Sequence, residues 1–418
     1  MIKTNHLTLT QWLDYLEQCH PSTIDLGLER VSIVAKVLKL SPFPIPAIIV
    51  GGTNGKGSSV ALLETIFSKA GYRVGTYTSP HLFRYNERVR VLQNEVDDKT
   101  LCSAFSEIEK ARQETSLTYF EFGTLAALQI FKNADLDLVI LEVGMGGRLD
   151  AVNIIDPEIC IVTNVDLDHM EWLGNTRDAI AIEKAGIMRT NKPTIYGDVN
   201  PTKTFIMEAE KKLVPLFVLG QDFFYQENLG DWEWWNHQKK LTSLPKPKIA
   251  LKNAATVIQT LEKIHEKFPV TEEAILEGLK SVSVYGRQTS LKKEGIHILL
   301  DVAHNPHGVS LLADTLSKNK ISGKTYAVFS MLKDKDITAA VKCIMPFIDH
   351  WYLGHIQNER GCSLENMQSV FTNLNLENHS GFETVREAFT NASAVAKAGD
   401  RIIVFGSFHT VSEVHGAL

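Results

Sequence analysis

The chain has 418 residues, of which 44% are hydrophobic and 22% are charged, and its formal net charge is −6. At roughly 150 residues per domain this length indicates two or three domains, and the composition excludes a disordered protein. The acidic balance argues against a surface that coats nucleic acid and leaves open only a local basic pocket. No apolar run reaches the ~18 residues that span a membrane, and the five cysteines lack CxxC spacing. We therefore expect a cytoplasmic protein with no nucleic-acid or membrane partner, no disulfide and no thiolate zinc site.

The predicted elements begin with a helix and continue as alternating strands and helices. Thr8 and Gln11 have the spacing of a capping box, and Leu9, Trp12 and Leu16 share one face of the helix that follows. Short apolar runs at residues 46–50, 138–141 and 159–162 predict buried parallel strands, and the aromatic segment 223–235 predicts a hairpin. The alternation indicates an α/β architecture with right-handed crossovers.

The pattern restarts near Tyr285, where a second and smaller α/β domain is predicted. Further strands are expected over residues 296–300, 326–330 and 401–405. We therefore predict a first domain over residues 1–284, a linker over 285–295 and a second domain over 296–418.

Gly51 to Ser59 reads GGTNGKGSS and follows an apolar strand directly. Glycines let backbone N–H groups converge on phosphate oxygens, the start of the following helix favours anions, and Lys56 supplies a positive charge. The strict GxxxxGK[ST] pattern fails, because Val50 stands at the first glycine position and Gly57 follows the lysine. The alternative is an ordinary turn with a solvated lysine, but the strand–loop–helix context favours a phosphate-binding loop.

Polar residues follow other predicted strands at the edge where ligands bind in an open α/β sheet. Glu142 and His169 could hold Mg²⁺ or a phosphate there, and the Ser79 hydroxyl suits Mg²⁺. The alternatives are a solvent-facing carboxylate, a structural histidine and an ordinary Ser-Pro turn. Lys184 would by itself be taken for a surface lysine. The cluster Asp301 to His307, which includes His304, suits a second substrate or an Asn-Pro turn.

Together these strings resemble the folylpolyglutamate synthase/dihydrofolate synthase family of Mur-ligase-like ATP-dependent amide ligases. The matching segments span nearly the whole chain in one order, and they are Asp25–Arg30, Gly52–Ser58, Thr78–His81, Glu87–Arg88, Thr118–Glu121, Leu141–Asn153, Asp168–His169, Glu183–Gly186, Asn253–Ala255, Asp301–His307 and Gly406–Thr410. The resemblance implies a P-loop, Mur-ligase-like central domain with a mostly parallel sheet, followed by a smaller Rossmann-like α/β domain.

The resemblance also implies a reaction. ATP phosphorylates a substrate carboxylate, the amine of L-glutamate attacks the acyl phosphate, and phosphate leaves as the amide forms. The expected substrates are 7,8-dihydropteroate and folates, and the family expectation is a monomer. One alternative is an enzyme that only extends folates with glutamate, against which the Asp25-Leu26-Gly27 segment argues. The other is a P-loop binding protein or transport ATPase, which has no need for the Asp301–His307 cluster.

By resemblance, each candidate residue takes an expected role. Two Mg²⁺ sites are implied, one held by Ser79 and Glu142 and one by Glu142 and His169. Lys184 matches a family lysine that is carbamylated, which turns the cation into an anionic ligand, and it joins Lys56, Glu142 and His169 as catalytic. The nucleotide would be bound by Thr53, Asn54, Gly55, Lys56, Gly57, Ser58, Asn253, Arg287 and Asp301. The pterin-bearing pocket would be lined by Ile24, Asp25, Leu26, Thr118, Tyr119, Phe120, Glu121, Leu149, Asp150 and Ala151.

One segment departs from the family pattern. The family has Pro-Gly-Arg, an apolar residue and then Gln or Glu, whereas this chain has Tyr285-Gly286-Arg287-Gln288-Thr289. Arg287 is kept, but the loss of proline predicts a looser hinge.

Overall fold

A computed structural model describes residues 7–22 and 24–418, and the chain divides into two compact units, Met1–Ser283 and Val284–Leu418. The capping box of Thr8 and Gln11 is present at the start of the first helix. No helix in the described part of the chain is both long enough and apolar enough to cross a membrane.

The first unit is built on a mixed sheet with helices on both faces. Its helices are α1 (Leu9–Gln18), α2 (Glu29–Val37), α3 (Lys56–Lys69), α4 (Asp98–Arg112), α5 (Tyr119–Asn133), α6 (Met170–Leu173), α7 (Arg177–Ala185), α8 (Lys203–Lys211), α9 (Leu251–Lys263) and α10 (Glu272–Ser281). Its strands are β1 (Ala47–Gly51), β2 (Val74–Tyr77), β3 (Val89–Val91), β4 (Asn94–Glu95), β5 (Leu138–Glu142), β6 (Ile159–Val162), β7 (Thr194–Tyr196), β8 (Leu216–Val218), β9 (Phe223–Glu227), β10 (Trp232–Asn236) and β11 (Lys240–Leu244).

Eight strands form the main sheet, in the order β4-β3-β2-β5-β1-β6-β7-β8. The six strands from β2 to β8 in this order are parallel, and β3 and β4 are antiparallel at one edge. In β1, Ile48 and Val50 belong to one hydrophobic core and Ile49 belongs to the other, on the opposite face. Because both faces are covered, the central strands are apolar throughout, as the sequence indicated. The carboxyl ends of β1, β2, β5 and β6 therefore meet at one edge of the sheet.

The hairpin predicted over residues 223–235 is confirmed as the antiparallel pair β9–β10, to which β11 adds a third strand. Trp232 and Trp234 are fully buried, in the core that also contains residues of α9. This small sheet is fixed to the unit by its tryptophans.

The second unit contains a six-stranded sheet in the order β12-β13-β17-β14-β15-β16, parallel except for β12 at its edge. Its elements are β12 (Thr289–Lys293), β13 (Ile296–Asp301), α11 (Pro306–Lys318), β14 (Thr325–Phe329), α12 (Ile337–Ile344), β15 (His350–Gly354), α13 (Leu364–Asn373), β16 (His379–Phe382), α14 (Val385–Val395), β17 (Arg401–Phe405) and α15 (Phe408–His415). The expected α/β fold class is confirmed in both units.

The predicted linker, residues 285–295, contains the regular strand β12, which pairs with β13. Glu294 and Gly295 join the two strands, and both have positive φ, 51° and 83°. A two-residue turn of that type matches the twist of a hairpin. The segment is thus largely part of the second unit's sheet rather than a free connection.

Candidate active site

The loop that follows β1 is held in place by residues that follow β6. The Asn54 N–H donates to Oδ1 of Asn164 at 2.9 Å, and the Thr53 N–H donates to the Asn164 carbonyl at 3.1 Å. The Thr53 hydroxyl donates to the Asp166 carbonyl at 3.2 Å and accepts from the Asp166 N–H at 3.0 Å. The backbone of the loop is therefore held by hydrogen bonds within the protein.

Two glycines of this loop lie so close to neighbouring side chains that a Cβ would collide with them. Gly52 has φ 133°, and a Cβ there would lie 1.8 Å from Oγ1 of Thr163. Gly55 has φ 89° and is the N-cap of α3, where a Cβ would lie 2.7 Å from the side-chain amide of Asn253. Asn253, which is on α9 and was predicted to bind the nucleotide, is buried against this loop.

Lys56 begins α3, and its Nζ donates to the carbonyls of Gly52 (3.1 Å) and Thr53 (3.2 Å). The ammonium group lies against the loop at the start of α3, where the N–H groups of Gly57 and Ser58 have no partner within the helix. A converging set of backbone donors, a helix N-terminus and a cation is the chemistry of a phosphate site.

Ser79 and Glu142 are brought together at the ends of β2 and β5. The Ser79 N–H donates to Oε2 of Glu142 at 3.1 Å, and the carboxylate lies 3.7 Å from where a Cβ of Gly57 would be. Glu142 therefore places a buried carboxyl group beside this loop.

His169 follows β6, the neighbour of β1, and has a left-handed backbone with φ 49° at the start of α6. Its Nε2 lies 4.0 Å from Oδ1 of Asp168. Across residues 7–22 and 24–418, no group of three or more His, Cys, Asp or Glu side chains is arranged to hold a metal ion. Any ion here therefore needs ligands of other types as well, such as hydroxyl and phosphate oxygens.

Lys184 is not a surface lysine, because it is only 3% exposed on α7. Burial lowers its pKa to about 7, the charge of Lys56 acts in the same direction, and Asp168 and Asp150 oppose it. A large fraction of this amine is consequently neutral at physiological pH. A neutral buried amine is a nucleophile, whereas an ammonium group is not.

Asp150 is buried in the glycine-rich loop after β5, and it accepts from the N–H groups of Met145 (2.9 Å) and Val152 (3.0 Å). Burial raises its pKa to about 6, against the effect of these hydrogen bonds. α7 is joined to this loop by the Arg148 N–H, which donates to the Glu183 carbonyl at 2.7 Å. Asp150 thus shapes the loop that brings Lys184 close to Lys56.

Two of the three segments predicted to line the pterin pocket meet through Arg30. Its Nη1 donates to Oδ2 of Asp25 at 2.7 Å, and its Nη2 lies 3.2 Å from Oε1 of Glu121. Glu121 also closes a capping box with Thr118 at the start of α5. The Phe120 ring covers Gly144, where a Cβ would lie 2.6 Å from the ring. Of the remaining residues, Ala151 is buried, and Ile24, Leu26, Tyr119 and Leu149 are partly exposed.

In the second unit, Asp301 ends β13 and is buried, and it accepts from the N–H groups of Ala303 (2.8 Å) and Gln288 (3.1 Å). Burial raises its pKa, and the charge of Arg287 opposes that shift most strongly. The Arg287 guanidinium lies 5.3 Å from the centre of the Phe408 ring, and the His304 ring lies 6.3 Å from it. The Arg287 and His304 side chains therefore both lie near the Phe408 ring.

Sequence reasoning did not assign functions to Thr163, Asn164, Arg30 and Phe408. Thr163 and Asn164 are polar residues directly after a buried strand, which was the available signal for them. Arg30 and Phe408 lie inside segments that carried the family resemblance, but nothing in their spacing indicated their partners.

Family models match both units of the chain. Residues 50–243 match the Mur ligase middle domain, and residues 286–408 match the Mur ligase glutamate ligase domain. The dihydrofolate synthase/folylpolyglutamate synthase of Escherichia coli strain K12 is 43% identical over 97% of this chain and 94% of its own length.

Two solved structures are similar along the whole chain. The structure of E. coli FolC in complex with DHPP and ADP superposes with a TM-score of 0.95 at 42% identity, over 100% of this chain and 99% of that one. A bifunctional folylpolyglutamate synthase/dihydrofolate synthase with Mn, AMPPNP and L-glutamate bound has a TM-score of 0.92 at 41% identity, over 99% and 98% of the two chains.

These relatives confirm the predicted family and the ATP-dependent ligation of L-glutamate, and they leave no support for a transport ATPase or a switch protein. The chain belongs to the dihydrofolate synthase/folylpolyglutamate synthase family of Mur ligases, which use ATP to join L-glutamate to dihydropteroate and to folates.

Proposed function

We propose that the chain performs this ligation through an acyl phosphate formed at the edge of the first unit's sheet. A carboxylate oxygen of the acceptor attacks the γ-phosphorus of ATP, and ADP leaves. The amine of L-glutamate then attacks the acyl carbon and loses a proton as phosphate departs. The observation that carries the proposal is the convergence of Lys56, Glu142 and Lys184 beside a preformed phosphate-binding loop.

The nucleotide phosphates are bound in this proposal by Thr53, Asn54, Gly55, Lys56, Gly57 and Ser58. Asn253 contacts the same loop, which supports a role for it in binding the nucleotide. Arg287 and Asp301 of the second unit also bind the nucleotide, and His304 binds L-glutamate. Charge neutralisation and positioning are the main protein contributions to phosphoryl transfer.

The donor set beside the loop fits Mg²⁺, and two such ions are proposed. Ser79 and Glu142 would hold one ion, and Glu142 and His169 would hold the second, with hard oxygen donors supplemented by one imidazole. The relative with Mn and AMPPNP bound supports a divalent ion at a nucleotide site. Bound there, the ions would neutralise charge on the phosphates, while the chain orients the acceptor and excludes water.

Lys184 is proposed to be carbamylated. Its neutral amine attacks the carbon of CO₂, a proton is released, and the new carbamate is an oxygen donor. This accounts for a buried lysine among residues proposed to bind metal, where an ammonium group would repel the ion. The lowered pKa supports the modification, because only the unprotonated amine reacts.

The acceptor's pterin is proposed to lie among the segments around Asp25, Phe120, Glu121 and Asp150. Arg30 joins the first of these segments to Glu121, and the Phe120 ring covers Gly144 in the loop that contains Asp150. The carboxylates of Glu121 and Asp150 are buried and can pair with the N–H groups of a pterin, and the Phe120 ring can stack on it. We further propose that the protein works as a monomer in the cytoplasm.

Glu142→Gln tests the proposal, because it keeps the shape of the side chain and removes the charge. Phosphate release that depends on both dihydropteroate and glutamate should fall by at least about 100-fold. Glu158→Gln is the matched control, since Glu158 forms surface ion pairs with Lys192 (2.9 Å) and Lys267 (2.7 Å), and it should keep full turnover. Equal activity of the two variants would overturn the assignment of Glu142.

A further inference from the structure

Arg88 is a buried cation to which none of the roles above is assigned. It lies directly before β3, is 9% exposed, and its carbonyl accepts from the N–H of Thr78 at 2.9 Å. Thr78 precedes Ser79, whose N–H contacts Glu142. Arg88 is thus tied by its backbone to the loop that carries the proposed metal ligand.

The Arg88 side chain is held without a carboxylate. Its Nε donates to Nδ1 of His81 at 2.9 Å, and its guanidinium carbon lies 5.2 Å and 5.5 Å from the ring centres of Tyr85 and Tyr119. Within residues 7–22 and 24–418, it forms no ion pair, and neither Nη1 nor Nη2 donates a hydrogen bond. Buried charges in proteins are normally paired, so this one indicates an anion that arrives with a ligand.

The neighbouring carboxylate does not neutralise Arg88. Glu87 accepts hydrogen bonds from three successive backbone N–H groups, those of Leu82 (2.7 Å), Phe83 (2.6 Å) and Arg84 (2.7 Å). The Glu87 carboxylate is therefore occupied by hydrogen bonds that stabilise the loop 82–87. The two tyrosine rings meanwhile fix the guanidinium in place, and the Nη edge of a fixed guanidinium matches the two oxygens of a carboxylate.

Arg88 contacts Tyr119, which belongs to the proposed acceptor pocket rather than to the nucleotide site. Tyr119 immediately precedes Phe120, whose ring covers Gly144 and lies 6.0 Å from the Tyr77 ring at the end of β2. We propose that Arg88 binds the reacting carboxylate of the acceptor and holds it for attack on the γ-phosphate. This inference rests on the pterin pocket proposed above, because Tyr119 and Phe120 are what connect Arg88 to the acceptor.

The test compares a charged ligand with its neutral form. Dissociation constants for pteroate and for pteroate methyl ester are measured on the full chain with MgADP present. The unmodified protein should prefer the acid by about 10- to 100-fold, as expected for hydrogen bonds between charged groups. Arg88→Met should bind the ester as the unmodified protein does and lose the preference for the acid. Arg88→Lys should keep part of the preference, because lysine retains the positive charge but lacks the planar guanidinium that can bind both carboxylate oxygens.

Three results would overturn the proposal. Equal loss of affinity for acid and ester in Arg88→Met would mean that Arg88 only supports the loop, and unchanged affinity for both would mean that it does not meet the ligand. A selective loss of MgADP affinity would assign Arg88 to the nucleotide.

Two further variants separate the causes of a failure. Arg84→Met removes an exposed arginine of the same loop that pairs with Glu95 at 2.6 Å, and it should leave all affinities unchanged. Phe120→Ala should weaken acid and ester by the same factor. If Phe120→Ala has no effect while Arg88→Met loses the acid preference, the pocket assignment fails and the assignment of Arg88 stands.

Discussion

At the scale of single residues, Lys184 has the environment that differs most from what its neighbours in the sequence indicated. Its side chain is buried because α7 packs on the loop after β5, where the Arg148 N–H meets the Glu183 carbonyl at 2.7 Å. The residues that influence its pKa, namely Lys56, Asp150 and Asp168, are distant in the chain. Local pattern alone predicted a surface lysine, and only the family resemblance singled it out.

Replacing Lys184 by Met should abolish ligation and stabilise the fold. The pKa of Lys184 is lowered in the folded chain. Between about pH 7 and pH 10 this lysine is therefore protonated in the unfolded chain and mostly neutral in the folded chain, so lowering the pH through this range favours unfolding. The variant should therefore gain about 1–3 kcal/mol in free energy of unfolding at pH 7 in CO₂-free buffer, and the gain should vanish above pH 10. Denaturant titration measures it.

Lys212→Met on the neighbouring segment is the matched control. Lys212 donates to the Ala185 carbonyl at 2.9 Å, and it should keep its ligase turnover when replaced. A Lys184→Met variant that is less stable than the parent chain would contradict the account of its burial.

The pH dependence of carbamylation follows from the same residue. With the pKa of Lys184 at about 7, the neutral fraction of the amine rises about tenfold between pH 6 and pH 8. At a fixed concentration of dissolved ¹³CO₂, the initial rate of carbamate formation, followed by ¹³C NMR, should rise with a midpoint near pH 7, and no carbamate should form in Lys184→Met. A midpoint near pH 10, the value of an ordinary lysine, would contradict it.

At the scale of elements, the unit formed by β1, the glycine-rich loop and α3 was predictable from the sequence. The residues after β6 that hydrogen-bond to this loop were not predictable. The apolar strand, the glycines and Lys56 are contiguous, so their pattern is visible in the sequence. Thr163 and Asn164 lie more than a hundred positions away and reach the loop only because β6 pairs with β1. Contacts made by the pairing of distant strands leave no local periodicity to read.

Gly52→Ala should disrupt this unit specifically. The new Cβ would have to share space with Thr163 Oγ1, 1.8 Å away, at φ 133°. We expect a loss of about 2–4 kcal/mol in free energy of unfolding and at least about tenfold weaker ATP binding. Gly71→Ala has the same change at φ 89° with no atom within 4 Å, and should lose only about 1 kcal/mol with ATP binding intact. Similar ATP affinities of the two variants would contradict the close packing of Gly52 on Thr163.

At the scale of the whole molecule, the presence of two α/β units was readable from the restart of the strand pattern near residue 285. The segment 285–295 was harder to interpret, because four of the five residues of β12 are exposed and the strand lies at a sheet edge. An edge strand with polar side chains resembles a linker in composition. Tyr285, which replaces the family proline, contacts His415 of α15 through its hydroxyl at 2.8 Å, so the segment is also anchored by its side chain.

The central claim, ligation through an acyl phosphate, is tested most directly by isotope transfer. Dihydropteroate labelled with ¹⁸O in its carboxylate is turned over with ATP and L-glutamate, and the released phosphate is analysed by mass spectrometry. If the carboxylate oxygen attacks the γ-phosphorus, one ¹⁸O atom enters each phosphate when the amide forms. Released phosphate without ¹⁸O, formed at the same rate as the amide, would contradict the account.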